Sequence, residues 1–386
     1  MYKNFLLLLL SLALIKSNAQ NLGGLHFGTD STLDVITWNI EWFPKNGQAT
    51  IDYVEEIILS LDADVIALQE MDDKSSFVEL RNRLDGYEGF YVSSTYLELA
   101  YLFKSSEIVL KDHYRIHTGN LRVFPRAPYI MEAIHENEEY VLINNHFKCC
   151  GDGFLNPADP YDEEKRRYDA SIMLEEYINS SHMDANVILL GDLNDLLTDE
   201  PSNNVFKVFL NDPSNYRFTD MEIAQGSSSD WSYPTWPSHL DHIMITSELY
   251  EVFEKPASEV LTIRIDDYLP GGWNEYDQYV SDHRPVGLKL HISQPSAVTE
   301  INGKEITFYN YPNPFKENTI FYIDKNLIDV RIDIFELTGK MVGSLFAGDR
   351  SQALMWEPGP TGPGIYYARL TAGGQYIASI KIIITE

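Results

Sequence analysis

Cysteine is almost absent: the 386-residue chain has two, Cys149 and Cys150, and they are neighbours. A small fold stapled by several disulfides is therefore excluded. The pair can form a strained vicinal bridge, stay as two thiols or link to another chain. A zinc site is disfavoured, because adjacent thiolates lack the spacer that lets two of them share one tetrahedral ion. In an oxidising exterior the expectation is that they join each other. Basic residues are also scarce, with 29 Lys and Arg against 58 Asp and Glu and a formal net charge of −29. Such a field repels polyanions, so a nucleic acid or other phosphate ester has to be held by a local cationic spot or a bound metal. Long apolar runs are missing too. The stretch Phe5 to Ile15 falls short of the roughly 20 residues that span a bilayer, and no stable membrane span is expected. Placed between Lys3 and Ser17-Asn18-Ala19, that stretch has the three parts of a secretory signal over residues 1–19.

What is present is material for a sizeable core: 44% hydrophobic and 12% aromatic residues, on a length that suits roughly two domains. DVITWNI (Asp34 to Ile40) reads as a strand, followed by Ile51, Val54, Ile57, Ile58 and Leu61 at helical spacing and by strand-like DVIALQE (Asp64 to Glu70). The pattern returns in YVLINNHF (Tyr140 to Phe147), the helical stripe Ala170, Met173, Leu174, Tyr177 and Ile178, and the buried strand NVILLGDLN (Asn186 to Asn194). Strands and helices interleave over 20–292, a polar linker is expected at 293–304, and short strand-like runs between Gly, Pro and Asn turns fill 305–386. The last segment reads as a small all-β sandwich.

Polar residues that interrupt apolar runs carry the chemistry. In GDLND an extended chain would put Asp192 and Asn194 on one face, with Leu193 pointing to the core. A carboxylate that can polarise water beside an amide that can donate to a phosphoryl oxygen suits a phosphate site. Glu70 closes VIALQ, Asn39 lies inside TWNIEW, and His146 ends YVLINNH. Asp241 lies in SHLDHIMI, where His239 shares its extended face and His242 falls on the other face, outside the expected site. Asp282 and His283 are adjacent in SDHRPV, so a turn or bulge is required if both are to reach one phosphate.

The set TWNIEWF, IALQE, NNHFK, GDLND, SHLDHIMI and SDHRPV, in this order over about Leu33 to Ile292, resembles the endonuclease/exonuclease/phosphatase superfamily. The resemblance implies a four-layer α/β/β/α sandwich of two packed sheets and metal-dependent phosphoester hydrolysis. Carried over, it makes Glu70 the main metal ligand with Asn39 and Asp282 near the same ion, Mg²⁺ for choice, with Mn²⁺ and Ca²⁺ sharing the preference for oxygen. It makes His146 and Asn194 donors to the phosphate and has Asp192 orient or deprotonate the attacking water. His283, oriented by Asp241, becomes a proton-transfer or charge-stabilising group. Arg126 in FPRAPY is the expected local cation, with Lys148 a weaker candidate that reads better as a surface lysine. Trp236 in WSYPTWPS either stacks a base beside the phosphate or caps the sheet. The cysteines, just after His146, are expected to shape a rim loop.

The tail holds a second set: YPNPF (Tyr311 to Phe315), VRIDIFELTGKMV (Val330 to Val342), GIYYARL (Gly364 to Leu370) and SIKIIITE. These resemble the C-terminal sorting domain of the type IX secretion pathway. They imply that the chain engages that machinery and crosses the outer membrane, to be released or held at the surface. The leading expectation is an exported metal-dependent phosphodiesterase, an endonuclease on extracellular nucleic acid. A sphingomyelinase-like lipid phosphodiesterase or another phosphatase of the superfamily is the second, with GGWNEY (Gly271 to Tyr276) its only modest candidate for a membrane-entering hairpin. A non-catalytic surface binding module on the same scaffold is the third. Against it, each key motif position carries a chemically competent residue.

Overall fold

A computed structural model describes residues 22–91, 98–136, 138–291, 308–323, 327–347 and 353–385. The expected secretory segment and the expected linker at 293–304 lie outside the described residues. In the first unit, β1 (Thr32–Phe43) leads through α1 (Gln48–Leu61) to β2 (Val65–Met71), which runs parallel to β1. Then come α2 (Lys74–Arg83), β3 (Tyr87–Tyr91), β4 (Glu98–Lys104), β5 (Val109–Arg115) and β6 (Tyr129–His135). A second parallel crossover joins β7 (Glu138–His146) through α3 (Glu163–Ser181) to β8 (Asn186–Asp192). β9 (Tyr216–Phe218), β10 (Asp241–Thr246), β11 (Glu259–Thr262) and β12 (Val286–His291) complete two six-stranded sheets, ordered β11-β12-β1-β2-β4-β3 and β5-β6-β7-β8-β10-β9.

The layers follow from strand periodicity. Successive side chains point to opposite faces, so a strand that is apolar throughout must be covered on both sides. On β1 and β2, Val35, Val65 and Ala67 pack between the sheets, whereas Ile36, Trp38, Ile66 and Leu68 pack outward with Val54, Ile57 and Ile58 of α1. On β8, Ile188 and Leu190 face the other sheet, and Val187 and Leu189 meet Ala170, Leu174 and Ile178 of α3. The result is the expected α/β/β/α sandwich.

One sequence expectation changes at β1. The strand runs on to Phe43 because Glu41 and Trp42 take left-handed conformations, φ 34° and 47°, and form a bulge before Phe43 rejoins Met71. GGWNEY is not a projecting hairpin. Gly272–Tyr279 is a helix whose Tyr276 is fully buried and bonds Trp38, and whose Trp273 lies beside Arg284.

The tail has its own core. β13 (Phe308–Tyr311), β14 (Thr319–Ile323) and β17 (Ala353–Trp356) form a three-stranded sheet. β15 (Val330–Glu336), β16 (Met341–Ala347), β18 (Gly364–Ala372) and β19 (Gln375–Ile384) form a four-stranded one. Phe321, Ile332, Ile334, Trp356, Leu370, Ile380 and Ile382 fill the space they share, as alternating strands of a sandwich require.

Candidate active site

Along the inner faces of the two sheets the apolar core gives way first to amides and then to carboxylates. Beyond Val35, Ala67 and Leu190 lies a buried polar layer in which Gln69 donates to Asn144 Oδ1 at 2.8 Å and to Thr37 at 3.1 Å. Asn144 in turn donates to the carbonyls of Leu68 and Ala100. One step further, the carboxyl ends of both parallel pairs bring Asn39, Glu70, His146 and Asp192 together. Asn39 Nδ2 donates to Asp192 Oδ2 at 2.9 Å and to Glu70 Oε1 at 3.3 Å. His146 Nε2 lies 3.5 Å from Asp192 Oδ2 and 3.8 Å from Glu70 Oε1. GDLND reaches this point because Gly191, at φ 144°, passes so close to Asn145 that a Cβ there would lie 2.0 Å from its carbonyl oxygen.

Glu70 is turned into the site by its backbone. Parity would send it outward with Leu68, but at φ 61° it leaves the ladder, and its Oε2 accepts the Trp42 N–H at 3.2 Å. A left-handed non-glycine residue costs about 1–3 kcal/mol, and such outliers gather at functional sites. The SDHRPV segment supplies the expected bend. There Asp241 Oδ2 and His283 Nδ1 are 2.7 Å apart, and His283 Nε2 lies 3.9 Å from Asp192 and 4.0 Å from Asp282. The bend is held from behind. Ser281 donates to the Asn39 carbonyl at 2.6 Å, Tyr276 donates to the His283 carbonyl at 2.7 Å, and Arg284 forks onto Asp266.

Burial and crowding set the protonation states. Burial, opposed by His283 and reinforced by Asp241 and Glu70, raises the Asp192 carboxyl to about 7. Burial, with Glu41 and Glu70 nearby, raises Asp282 to about 6. Burial works against charge on His283, but Asp241 and Asp192 outweigh it and raise the imidazole to about 10. His146 is driven the other way, well below its ordinary value, by burial and then by Arg126 and His283. Among the described residues, two buried atoms at the site have no hydrogen-bond partner, His146 Nδ1 and Asp241 Oδ1. Glu70 and Asp282 bring carboxylate oxygens and crowded negative charge, which fits a hard divalent cation, while the Asn39 oxygen accepts the Glu41 N–H at 3.0 Å.

Several expectations need correction. Asn194 is not extended beside Asp192. At φ 55° it folds back so that its N–H donates to Asp192 Oδ1 at 3.1 Å, and its side-chain amide meets the Phe147 carbonyl at 3.4 Å. Leu193 is buried, as expected. Trp236 does not cap the sheet: it is 74% exposed, in the hairpin closed by Tyr233 and Ser238. His239 does not join Asp241. It and His242 both bind Asp220, at 3.0 and 2.6 Å, and their remaining nitrogens meet Ser232 N and Asp195 O. Cys149 and Cys150 are free, with Sγ atoms 2.9 Å apart, rather than joined. Arg126 is beside the site, 3.5 Å from the Phe147 carbonyl, while Lys148 spends its ammonium on the Cys149 carbonyl at 2.8 Å.

Sequence reasoning missed three participants. Glu41, inside the quoted TWNIEWF, accepts the Asp282 N–H at 2.8 Å and pairs with Lys45. Tyr233 lays its ring 4.7 Å from that of His283. Ser232 accepts from the N–H groups of both Leu240 and Asp241, so it fixes the start of β10. Only Glu41 had a local signal, as a carboxylate two residues after Asn39 inside the same motif.

Residues 36–283 match the endonuclease/exonuclease/phosphatase family. The chain belongs to that family. Members of the endonuclease/exonuclease/phosphatase family are phosphoesterases that use divalent metal ions. Residues 309–385 match the secretion system C-terminal sorting domain, which marks the protein for type IX export to the cell surface or beyond. Among solved structures, D. rerio TDP2 complexed with single strand DNA product is 18% identical, covers 68% of this chain and 100% of its own, and has a TM-score of 0.52. A humanized D. rerio TDP2 with 14 mutations is 16% identical with the same coverage and a TM-score of 0.51. The human nocturnin catalytic domain with bound sulfate is 18% identical, covers 67% of this chain and 93% of its own, and has a TM-score of 0.48. At these identities the likeness is one of fold. No curated protein matches the chain.

Proposed function

We infer that this is an exported, metal-dependent phosphodiesterase that cleaves extracellular nucleic acid as an endonuclease. The observation that carries the reading is the convergence on Asp192 of Asn39, His146 and the Asp241–His283 pair, with Glu70 and Asp282 alongside. Glu70, Asn39 and Asp282 would hold Mg²⁺, which supplies a Lewis acid and a template for the phosphate. Asp192, raised to about 7, is poised at neutral pH to orient water and take its proton. His146 is neutral and offers an N–H to a phosphoryl oxygen, with the Asn194 amide as a second donor. His283, held charged by Asp241, stabilises negative charge as it develops or protonates the leaving oxygen.

Nucleic acid is favoured by two exposed indoles, Trp42 at 60% and Trp236 at 74%. Trp42 follows Glu41 and bonds Glu70 through its N–H, and Trp236 is three residues from the Tyr233 that packs on His283. Exposed rings beside a phosphate site offer stacking to bases, worth about 1–3 kcal/mol each. The lipid alternative loses its membrane-entering candidate, since the GGWNEY helix is packed on the core. Purified protein is to be assayed on plasmid DNA, RNA and sphingomyelin, each with Mg²⁺ and with chelator. Cleavage of a nucleic acid that stops with chelator is expected. Hydrolysis of sphingomyelin with both nucleic acids intact would overturn the substrate.

A further inference from the structure

Between His146 and α3 the chain makes the loop KCCGDGFLNPADPYD, which is anchored at both ends and acidic in between. Arg167 of α3 gathers it. Its guanidinium donates to the carbonyls of Lys148 and Cys150 at 2.7 Å each, to Asp195 Oδ2 at 2.7 Å and to Glu164 Oε1 at 3.0 Å. The loop therefore forms one unit with the exit of GDLND and the first turn of α3. Within that unit Asp152, Asp162 and Glu164 each present a carboxylate oxygen, all within 4.8 Å of one another.

These carboxylates have partners on one side only. Asp152 Oδ1 accepts the Phe154 N–H at 3.0 Å, and Asp162 Oδ1 accepts from Lys165 N and Asn156 N as the cap of α3. Glu164 Oε1 takes the Gly153 N–H at 2.8 Å as well as Arg167. Glu164 Oε2 has no hydrogen-bond partner among the described residues, and it is buried in a residue only 2% exposed. Leaving a buried charged acceptor unsatisfied costs about 1–3 kcal/mol or more. Arg167 is paired with Glu164 and shared with Asp195, and among the described residues no salt bridge reaches Asp152 or Asp162. Three carboxylates, one with a buried free oxygen, are thus gathered where a single shared guanidinium reaches only one of them.

We propose that Asp152, Asp162 and Glu164 bind a Ca²⁺ ion that ties the rim loop to the start of α3. The donors are all oxygen, which selects a hard cation. They come from an irregular loop and a helix start, an arrangement that suits the flexible coordination of Ca²⁺ better than the near-ideal octahedron Mg²⁺ demands. Asp152 is exposed, so the ion has an entry path and room for water ligands. An exported protein meets calcium at concentrations that fill sites with dissociation constants on the order of 10⁻⁴–10⁻³ M. The ion is separate from the catalytic cation. Its part is structural, restraining the loop that carries Cys150 and the exposed Phe154 at the edge of the cleft.

The test uses the full chain, stripped with chelator and titrated with Ca²⁺, comparing wild type, Asp152→Asn, the double variant Asp152→Asn/Glu164→Gln, and Glu70→Gln. Bound Ca²⁺ is counted by equilibrium dialysis, and cleavage of the loop by added protease is followed with and without Ca²⁺. The double variant is expected to bind one Ca²⁺ fewer than wild type and to lose Ca²⁺ protection of the loop, while Glu70→Gln keeps that protection. Asp152→Asn alone, a surface change that spares the fold, should weaken the site by roughly tenfold through loss of one charged ligand. Equal Ca²⁺ counts and equal protection in wild type and the double variant would overturn the site. So would loss of protection in Glu70→Gln with protection retained in the double variant, because the effect would then belong to the catalytic centre.

Discussion

At Asp192 one buried carboxylate receives the Asn39 amide while two imidazoles of opposite character stand within 4 Å, His146 neutral and His283 charged. If Asp241 serves to hold His283 in one orientation, Asp241→Asn should cost on the order of 10³–10⁴ in turnover, because the amide favours the wrong tautomer. His283→Ala should cost about as much, and the double change hardly more, since residues that act as a unit are not additive. Independent, multiplicative losses in steady-state rates would separate them. Glu70→Gln keeps the shape and the bond to Trp42 N, so circular dichroism and melting should be unchanged while metal-supported turnover falls by orders of magnitude. A folded Glu70→Gln protein with near-normal activity removes the metal role. Six of these side chains were legible because each interrupts an apolar run. The direction of Glu70 was not, since it depends on a left-handed φ that no local pattern announces. The Asp220–His239–His242 cluster was equally hidden, because its partners are brought together by the pairing of β9 with β10.

At the scale of elements the sequence was most readable where periodicity and burial agree. α1 buries the residues its spacing picked out, and both parallel crossovers were visible as strand, stripe and strand. What escaped is where ladders break, at Glu41–Trp42 and at Asn194, and those breaks aim side chains into the site. The opposite end of the β1–β2 pair carries a different cluster. Asp34 and Asp64 are both buried, and the Asp34 N–H donates to Asp64 Oδ2 at 2.9 Å. Burial raises Asp34 to about 7, and burial together with Asp34 raises Asp64 to about 8. Raised folded-state values mean that the folded chain holds these protons more tightly than the unfolded chain does. The associated stability is fully present below the ordinary carboxyl value of 3.8 and is lost as pH rises to about 8. Asp64→Asn removes one titration while its amide oxygen can still accept the Asp34 N–H. Its melting temperature relative to wild type should therefore climb between pH 5 and pH 8, by roughly 2–4 °C for each kcal/mol recovered. A difference that stays flat across that range, measured by calorimetry at constant ionic strength, would show that both carboxyls titrate normally.

At the scale of the whole molecule, charge decides how the protein meets its substrate. A formal net charge of −29 on the chain leaves no general basic surface, and the site itself is walled by Glu41, Glu70, Asp192, Asp241 and Asp282. Besides the charged His283, the cations beside the site are Arg126 and Lys148, at the Phe147 and Cys149 carbonyls, with Lys45 taken up by Glu41. Nucleic-acid affinity falls with salt at a slope of about −0.9 per phosphate neutralised on a duplex. One or two such contacts correspond to a loss of roughly 3- to 12-fold between 50 and 200 mM salt, against 10³–10⁵ for a protein making 6–10 contacts. Screening of the protein's own negative field works in the opposite direction and should flatten the response further. Measured as kcat/KM on duplex DNA at fixed Mg²⁺, the decline over that range is therefore expected to stay within about tenfold. Arg126→Ala should lower kcat/KM and make the residual slope shallower still. A decline of several hundredfold in wild type would require many more phosphate contacts than these cations offer, and would place substrate binding away from this cleft.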